Sequence, residues 1–379
     1  MSPKTVMELT KIVAKRYLKA EKKGKTRILD EYCQNTGLNR KYAISKLKDS
    51  SGEGKEIRKR GRKRKYSYET DTALIAIWKY FDGICAERLH PYLPEAISVL
   101  ERFGYVKIGI QTKGELLAMS RASIGRRITK HKELNCRVLI STTKPGYLLK
   151  KHIPIQTSCW DTSKPGFCEI DLVAHCGDSA SGDFINTLQA VDIKTTWTER
   201  VAVMGKAQGR VFEGIKKIRS QLPFQLLGID SDNGGEFINH QLWKYCKDEK
   251  IQFTRSRPYM SKDNAHIEQK NWPLVRKILG YARFDTSYQL RLINDLYDHE
   301  LRLFLNFFQP TLKLASKTRH GSKIKRTYES ARTPYQRVLE CPEVSPEKKE
   351  QLTSFYKTLD PVLLRQYITQ KIKIIISLL

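Results

Sequence analysis

The order of strand-like and helix-like segments between residues 155 and 282 constrains the fold more than any other feature of this chain. Apolar, β-prone runs occupy 166–176, two stretches within 184–205, then 224–230 and 251–258. Helical patterns occupy 208–222, 238–250 and 261–281. Three strands followed by alternating helices and strands predict an α/β core in which helices flank a mixed sheet.

Three acidic residues come from three different elements of this predicted core. Asp171 lies in the middle of the first strand, Asp232 follows the strand 224–230, and Glu268 lies in the helix 261–281, which starts with a charged turn. A carboxylate inside an apolar strand is costly unless it serves a function, and ligands of such sheets bind beyond strand ends. Three convergent carboxylates are suited to hold two Mg²⁺ ions for phosphoryl transfer.

The turn after the fourth strand, SDNGGEF, has a second interpretation as an ordinary solvated turn. Asn233, Gly234 and Gly235 are residues that supply positive φ angles in tight turns. Asp230 and Glu236 are alternative acids there. We expect Asp230 to support the site from behind and Glu236 to be solvated.

A formal charge of +29, from 69 basic against 40 acidic residues, indicates a polyanionic partner. Nucleic acid is the first candidate and an anionic membrane surface the second. No apolar stretch reaches the roughly 18 to 20 residues of a transmembrane helix, and the N-terminus lacks the apolar core of a signal peptide. We therefore expect a cytoplasmic, nucleoid-associated protein that does not engage a membrane.

Two basic helical segments precede the core. Residues 26–48 read as two helices joined at Thr36-Gly37-Leu38, the pattern of a helix-turn-helix within a DNA-binding domain 1–54. A similar pattern at 115–130, capped between Ser120 and Ser123, lies in a second helical domain, 67–150. An ordinary helical hairpin gives the same pattern. The candidate DNA contacts on the two second helices are Asn39, Arg40, Lys41, Lys46, Arg126 and Arg127.

The segment 55–66 between these domains is a basic linker, with eight basic residues among the eleven from Lys55 to Lys65. Such a segment is suited to lie along phosphates or in a narrow minor groove, although a nuclear-import signal or a solvated linker has the same composition. Its candidate DNA contacts are Arg58, Arg60, Arg62 and Arg64.

The eight cysteines include no CxxC pair, so we expect reduced, mostly buried thiols instead of a zinc site. Cys159, Cys168 and His175-Cys176 form the only loose cluster.

The stretches PGFCEIDLV, DSDNGGEF and RPYMSKDNAHIEQKNW resemble the DDE transposase and retroviral-integrase superfamily, in its bacterial insertion-sequence branch. The resemblance covers residues 155–282 and implies a ribonuclease-H-like integrase catalytic core. It implies catalytic and metal-binding roles for Asp171, Asp232 and Glu268, with Mg²⁺ or Mn²⁺. Members of the superfamily cut donor DNA to free 3′-hydroxyls and join these to target DNA. The basic helical units resemble those that hold transposon ends, and ARTPYQRVL (331–339) resembles a C-terminal element of such transposases.

The chain also departs from this pattern. The zinc-binding His-His-Cys-Cys module of integrases has no counterpart here, and Trp272 stands where some integrases have lysine. Asn264 and Asn271 share the helix face of Glu268 by periodicity, and we expect them to position phosphate. Residues 283–379 are predicted to form a C-terminal extension with helices and basic strands. The leading interpretation is a transposase acting as a homo-oligomer on two DNA ends. The alternatives are a nuclease that only hydrolyses nucleic acid and a transposase-derived regulator that binds DNA without catalysis.

Overall fold

The computed structural model describes residues 1–49, 65–132, 163–232, 234–255, 267 and 271–379. The chain divides into two compact units, Met1–Lys65 and Tyr66–Leu379. Several residues singled out above lie outside the described residues: Arg58, Arg60, Arg62, Arg64, Asn233, Asn264 and Glu268. The basic linker is described only at its last two residues, 65 and 66.

The first unit contains three helices, Pro3–Lys19, Lys22–Thr36 and Arg40–Asp49. The predicted two-helix pattern is present, with its turn at Gly37 in the left-handed conformation (φ 69°) that glycine adopts without steric cost. Ala43 and Leu47 face inward as predicted. Tyr32 is buried among them, and its hydroxyl lies 2.6 Å from the Thr10 hydroxyl of the first helix.

The second unit begins with four helices, Tyr68–Tyr80, Ala86–Arg102, Ile110–Leu117 and Arg121–Lys132. The fourth is capped as predicted, because the Ser120 hydroxyl accepts a hydrogen bond from the Ser123 backbone N–H at 3.2 Å. Ile124 and Ile128 of this helix are buried in a core that is continuous with that of the sheet.

The predicted mixed sheet is confirmed, with five strands: β1 Phe167–Ala174, β2 Ile185–Asp192, β3 Thr198–Met204, β4 Gly228–Ser231 and β5 Gln252–Arg255. Their spatial order is β3-β2-β1-β4-β5. The first three strands pair antiparallel, whereas β4 pairs parallel to both β1 and β5. Helices Gln208–Gln221 and His240–Asp248 connect the later strands. The strand predicted at 224–230 is β4, which begins only at Gly228. Its partner β1 begins at Phe167, which pairs with Gly228, so residues 224–227 have no β1 residue to pair with.

After β5, the described chain resumes with a π-helical turn, Trp272–Arg276, followed by Lys277–Leu279. Pro273 lies in this turn, and proline cannot donate the backbone hydrogen bond of a regular α-helix. The amphipathic region 284–310 forms two helices, Ser287–Asp298 and Glu300–Phe308, separated at His299.

The remaining C-terminal elements are two strands and three helices, as the sequence indicated. The strands β6 Leu314–His320 and β7 Lys323–Tyr328 form a separate two-stranded sheet. The helices are Pro334–Glu340, Pro346–Thr358 and Pro361–Ile376. Among the helices of the described residues, none has the length and apolar character needed to cross a membrane.

Candidate active site

Asp171 lies on β1, and Asp232 directly follows the neighbouring parallel strand β4. Ile170 of β1 pairs with Ser231 of β4, and each aspartate is the next residue along its chain segment. Neighbouring strands are about 4.8 Å apart. The parallel β1–β4 pair therefore brings together two acids that have 60 residues between them in sequence.

Burial dominates the ionisation of both carboxylates. It raises the pKa of Asp171, against the opposing effect of hydrogen bonds from the Asn271 side chain and the Leu172 backbone N–H. It also raises the pKa of Asp232 from 3.8 to about 6, and the negative charges of Asp171 and Glu236 add to this shift. A pair of carboxylates that repel each other in a buried place is stabilised by a bound cation.

The turn after β4 differs in two ways from the sequence interpretation. Neither Gly234 nor Gly235 adopts a positive φ. A Cβ atom at Gly234 would lie 2.7 Å from the Glu236 carboxyl carbon and 3.0 Å from Asp232 Oδ1, so this glycine provides space instead. Its backbone N–H donates to Asp232 Oδ1 at 3.0 Å.

Glu236 is not the solvated turn residue that the sequence suggested. Its side chain is only 17% exposed, and its carboxylate lies 3.9 Å from the Lys206 ammonium. The apolar residues that follow it, Phe237 and Ile238, are buried in the core, so the turn packs against the core. Glu236 therefore contributes negative charge to the environment of Asp171 and Asp232.

A series of buried side chains, here called the amide relay, leads from β3 to Asp171. Arg200 Nε donates to Gln189 Oε1 at 3.2 Å, Gln189 Nε2 donates to Asn271 Oδ1 at 3.4 Å, and Asn271 Nδ2 donates to Asp171 Oδ2 at 2.5 Å. Arg200 is only 2% exposed. Sequence reasoning singled out Asn271 but missed Gln189 and Arg200. Their only sequence signal is that they are polar residues within predicted apolar strands.

Glu169, two residues before Asp171 on the same face of β1, was also missed. Its side chain is buried (1% exposed), and its Oε2 accepts the backbone N–H of Ile267 at 2.9 Å. In register beside it on β4 lies Asp230, whose Oδ1 accepts the Thr254 hydroxyl of β5 at 2.5 Å. Asp230 thus joins two strands below the pair of aspartates, which agrees with the supporting role expected for it.

The donor set of this site suits a hard divalent cation, because Asp171 and Asp232 offer carboxylate oxygens. Across the described part of the chain, no group of three or more His, Cys, Asp or Glu side chains lies close enough to hold a metal ion. Glu268 is outside the described residues. Of the loose cysteine cluster, Cys159 lies outside the described residues. His175 is buried and bonded through Nε2 to the Thr187 hydroxyl at 2.8 Å, and Cys168 and Cys176 are free thiols.

The candidate DNA contacts of the first unit lie at the start and along the helix Arg40–Asp49. Asn39, Arg40 and Lys41 are exposed, and Lys46 is half-buried. Arg40 forms an ion pair with Asp30, and the Lys46 ammonium lies 5.6 Å from the centre of the Tyr42 ring.

In the second unit, the two candidate arginines differ in their surroundings. Arg126 is exposed. Arg127 forms an ion pair with Asp71 and stacks its guanidinium 5.0 Å from the centre of the Tyr66 ring. Arg127 therefore ties the fourth helix of this unit to its first.

Three comparisons relate the chain to known proteins. No protein-family model matches it. Among solved structures, the HTLV-2 integrase catalytic core domain in complex with magnesium (dimeric form) is 15% identical, covers 39% of this chain and 91% of its own, and has a TM-score of 0.30. The catalytic core domain of BIV integrase is 19% identical, covers 46% of this chain and 94% of its own, and has a TM-score of 0.31.

A much closer relative comes from Sinorhizobium fredii (strain NBRC 101917 / NGR234), where it is called uncharacterized protein y4rM. It is 34% identical over 329 residues, which span 86% of this chain and 93% of the relative. An identity of this level over nearly the whole length of both chains shows that the chain belongs to the y4rM family.

Proposed function

We propose that this protein is a DNA transposase of the DDE type, which cleaves transposon ends to free 3′-hydroxyls and joins them to target DNA. The observation that carries the proposal is the pair of half-buried aspartates, Asp171 and Asp232, each of which directly follows one of the paired residues Ile170 and Ser231 of two parallel strands. Phosphoryl transfer by two metal ions needs hard oxygen ligands gathered close together.

Contacts on both sides of Glu268 support its role as the third acid. The residue before it, Ile267, donates its backbone N–H to Glu169 of β1. Three residues after it, Asn271 donates to Asp171 of the same strand. Glu268 lies between these two anchored positions in the sequence, which favours it over more distant acids as the third ligand.

The strand order and directions support a ribonuclease-H-like core. Three antiparallel strands, β1 to β3, are followed by β4 and β5, which join parallel on the other side of β1. This is the arrangement that the sequence resemblance implies for residues 155–282.

Asp171, Asp232 and Glu268 are the residues that would hold Mg²⁺ or Mn²⁺. When bound, two such ions supply charge neutralisation at the attacking and leaving oxygens of an in-line displacement. The protein itself orients the carboxylates: the Asn271 amide holds Asp171 and the Gly234 N–H holds Asp232. The charge of Glu236 adds to the affinity of this place for a cation.

DNA is the proposed partner of the basic surfaces. We propose that the exposed side chains at the start of the helix Arg40–Asp49, and Arg126 in the second unit, contact DNA. Arg40 would then exchange its ion pair with Asp30 for a phosphate contact. The linker arginines, Arg58, Arg60, Arg62 and Arg64, are proposed to add further contacts to phosphates. Joining two transposon ends to one target requires two active sites, so the active form is a homo-oligomer.

The test uses the full chain with labelled DNA taken from the borders of the reading frame and with Mg²⁺ or Mn²⁺. Wild type is compared with Asp232→Asn, and with Asp178→Asn, an exposed aspartate that provides a control for the same chemical change. We expect strand-joined products from wild type and Asp178→Asn and none from Asp232→Asn.

Two other results would reject the proposal in favour of its alternatives. Cleavage without any joined product would indicate a nuclease. Tight, metal-independent binding with no chemistry, unchanged by Asp232→Asn, would indicate a DNA-binding regulator.

A further inference from the structure

The strands β6 and β7 form a ribbon, Leu314–Tyr328, that is exposed on both faces. Every residue of this ribbon whose exposure is described is exposed, and the two strands pair only with each other. An isolated two-stranded hairpin is at best marginally stable in water. A ribbon that covers nothing of its own core is therefore suited to contact something outside the chain.

The charge of this ribbon has one sign. Between Leu314 and Tyr328 the sequence has five basic residues and no acidic residue. The register places Lys317 directly opposite Arg326, and like charges in that position destabilise a strand pair. A polyanion lying along the ribbon would remove this repulsion, whereas a neutral or cationic partner would not.

The two faces of the ribbon differ. One face has Lys317 and Arg319 on β6, across from Arg326 and Ile324 on β7. The other has the hydroxyl residues Ser316, Thr318 and Thr327 together with Lys325, which is opposite Thr318. The Ser316 and Thr327 hydroxyls lie 2.5 Å apart across the strands. Guanidinium and ammonium groups bind phosphate oxygens, and hydroxyl groups also donate to phosphate.

We infer that the ribbon Leu314–Tyr328 is a DNA-binding surface that takes duplex DNA, with Lys317, Arg319 and Arg326 on backbone phosphates. The major groove of B-DNA is about 12 Å wide and admits a two-stranded ribbon. Leu314, Ile324 and Tyr328 are exposed but interspersed with cations, so the ribbon lacks the continuous apolar face that insertion into a membrane surface requires. The inference depends on the ribbon's own charge and goes beyond the proposed chemistry at Asp171.

The test measures binding of the full chain to a fluorescent duplex of random sequence, by anisotropy, in EDTA and over a range of salt concentrations. EDTA removes the metal-dependent reaction, so the result is independent of the proposed catalytic function. The variant K317Q/R326Q removes the opposed charges of the ribbon. The control K357Q/K373Q removes two exposed lysines from the helices Pro346–Thr358 and Pro361–Ile376.

Each lost phosphate contact lowers the slope of log affinity against log salt by about 0.9. We expect K317Q/R326Q to lower this slope by about 1.8, so that affinity falls about 12-fold less between 50 and 200 mM salt than in wild type. The absolute affinity at low salt falls as well, and the control behaves like wild type. An unchanged slope and affinity in K317Q/R326Q would overturn the inference.

Two measurements exclude other causes. Because K317Q/R326Q removes a repulsive pair, its melting temperature should equal or exceed that of wild type. If it falls, R319Q, which removes a proposed phosphate contact whose cross-strand partner is the uncharged Ile324, is compared with K373Q and is expected to lower the slope by about 0.9. Anionic phosphatidylserine vesicles test the membrane alternative: loss of vesicle binding with unchanged DNA binding would also overturn the inference.

Discussion

The amide relay from Arg200 to Asp171 has a fixed direction, and this leads to a sharp prediction. Arginine has only donors, so Arg200 fixes the carbonyl of Gln189 toward itself and its NH₂ group toward Asn271. Asn271 must then accept from Gln189 and present its own NH₂ group to Asp171. A donor in that position stabilises the ionised form of Asp171, the form that binds metal.

The substitution Gln189→Glu reverses this direction. A glutamate at 189 still accepts from Arg200 but has no donor for Asn271. Asn271 is then expected to flip, so that its NH₂ group donates to the glutamate and its carbonyl oxygen faces Asp171, where an acceptor favours the protonated carboxyl over the form that binds metal. A hydrogen bond to a charged group contributes about 1.5–3 kcal/mol. At 1.36 kcal/mol for each pKa unit, its loss raises the pKa of Asp171 by about 1–2 units above its already raised value.

The assay is Mn²⁺ binding as a function of pH, with Asp171→Asn defining the part of the signal that belongs to this site. We expect the pH of half-maximal binding to rise by about 1–2 units in Gln189→Glu, because Asp171 must lose its proton to bind metal. Gln351→Glu, which adds the same charge on the helix Pro346–Thr358, should leave the profile unchanged. Gln189→Met removes the relay without reversing it and should give a smaller rise in the pH of half-maximal Mn²⁺ binding. This variant replaces Gln189→Glu in the test if Gln189→Glu does not fold. Profiles of both Gln189 variants that coincide with wild type would refute the reasoning.

Three further predictions concern single side chains. The pKa of Asp232 in the folded protein, about 6, exceeds its ordinary value of 3.8, so the folded state loses stability as the pH rises between these values. In denaturant titrations of the metal-free protein, Asp232→Asn should therefore raise the free energy of unfolding by up to about 3 kcal/mol at pH 7. The same substitution should have no such effect at pH 4. Glu169→Met removes the acceptor of the Ile267 backbone N–H and should lower the strand-cleavage rate at least about tenfold, whereas Glu169→Gln keeps an acceptor and should retain activity. Arg126→Ala should weaken DNA binding with an unchanged melting temperature, while Arg127→Ala should cost about 1 kcal/mol of stability; equal behaviour of the two variants would contradict the difference in their surroundings.

The strands of the core and the nearness of two acids were predictable from sequence, because both depend on local patterns. Each strand is an apolar run of ordinary length, and the parallel β1–β4 pair places the end of β4 beside the middle of β1, where Asp171 lies. The inward positions of Ala43 and Leu47 followed from helical periodicity in the same way. The conformation of Gly234 could not be predicted from sequence, because Asn-Gly-Gly is suited both to a left-handed turn and to a position at which neighbouring side chains leave no space for a Cβ atom.

The residues that position the acids could not be predicted, because their roles depend on registers between strands distant in sequence. Gln189 reaches Asn271 and Arg200 only because β2 pairs with β1 at Asp171–Gln189 and with β3 at Gln189–Arg200. A shift of either register by one residue would turn Gln189 to the other face. The same antiparallel register that aligns the relay therefore also sets the ionisation of Asp171. Substitutions far from the site that disturb the β2–β3 pairing should change the pH dependence of metal binding before they change the fold.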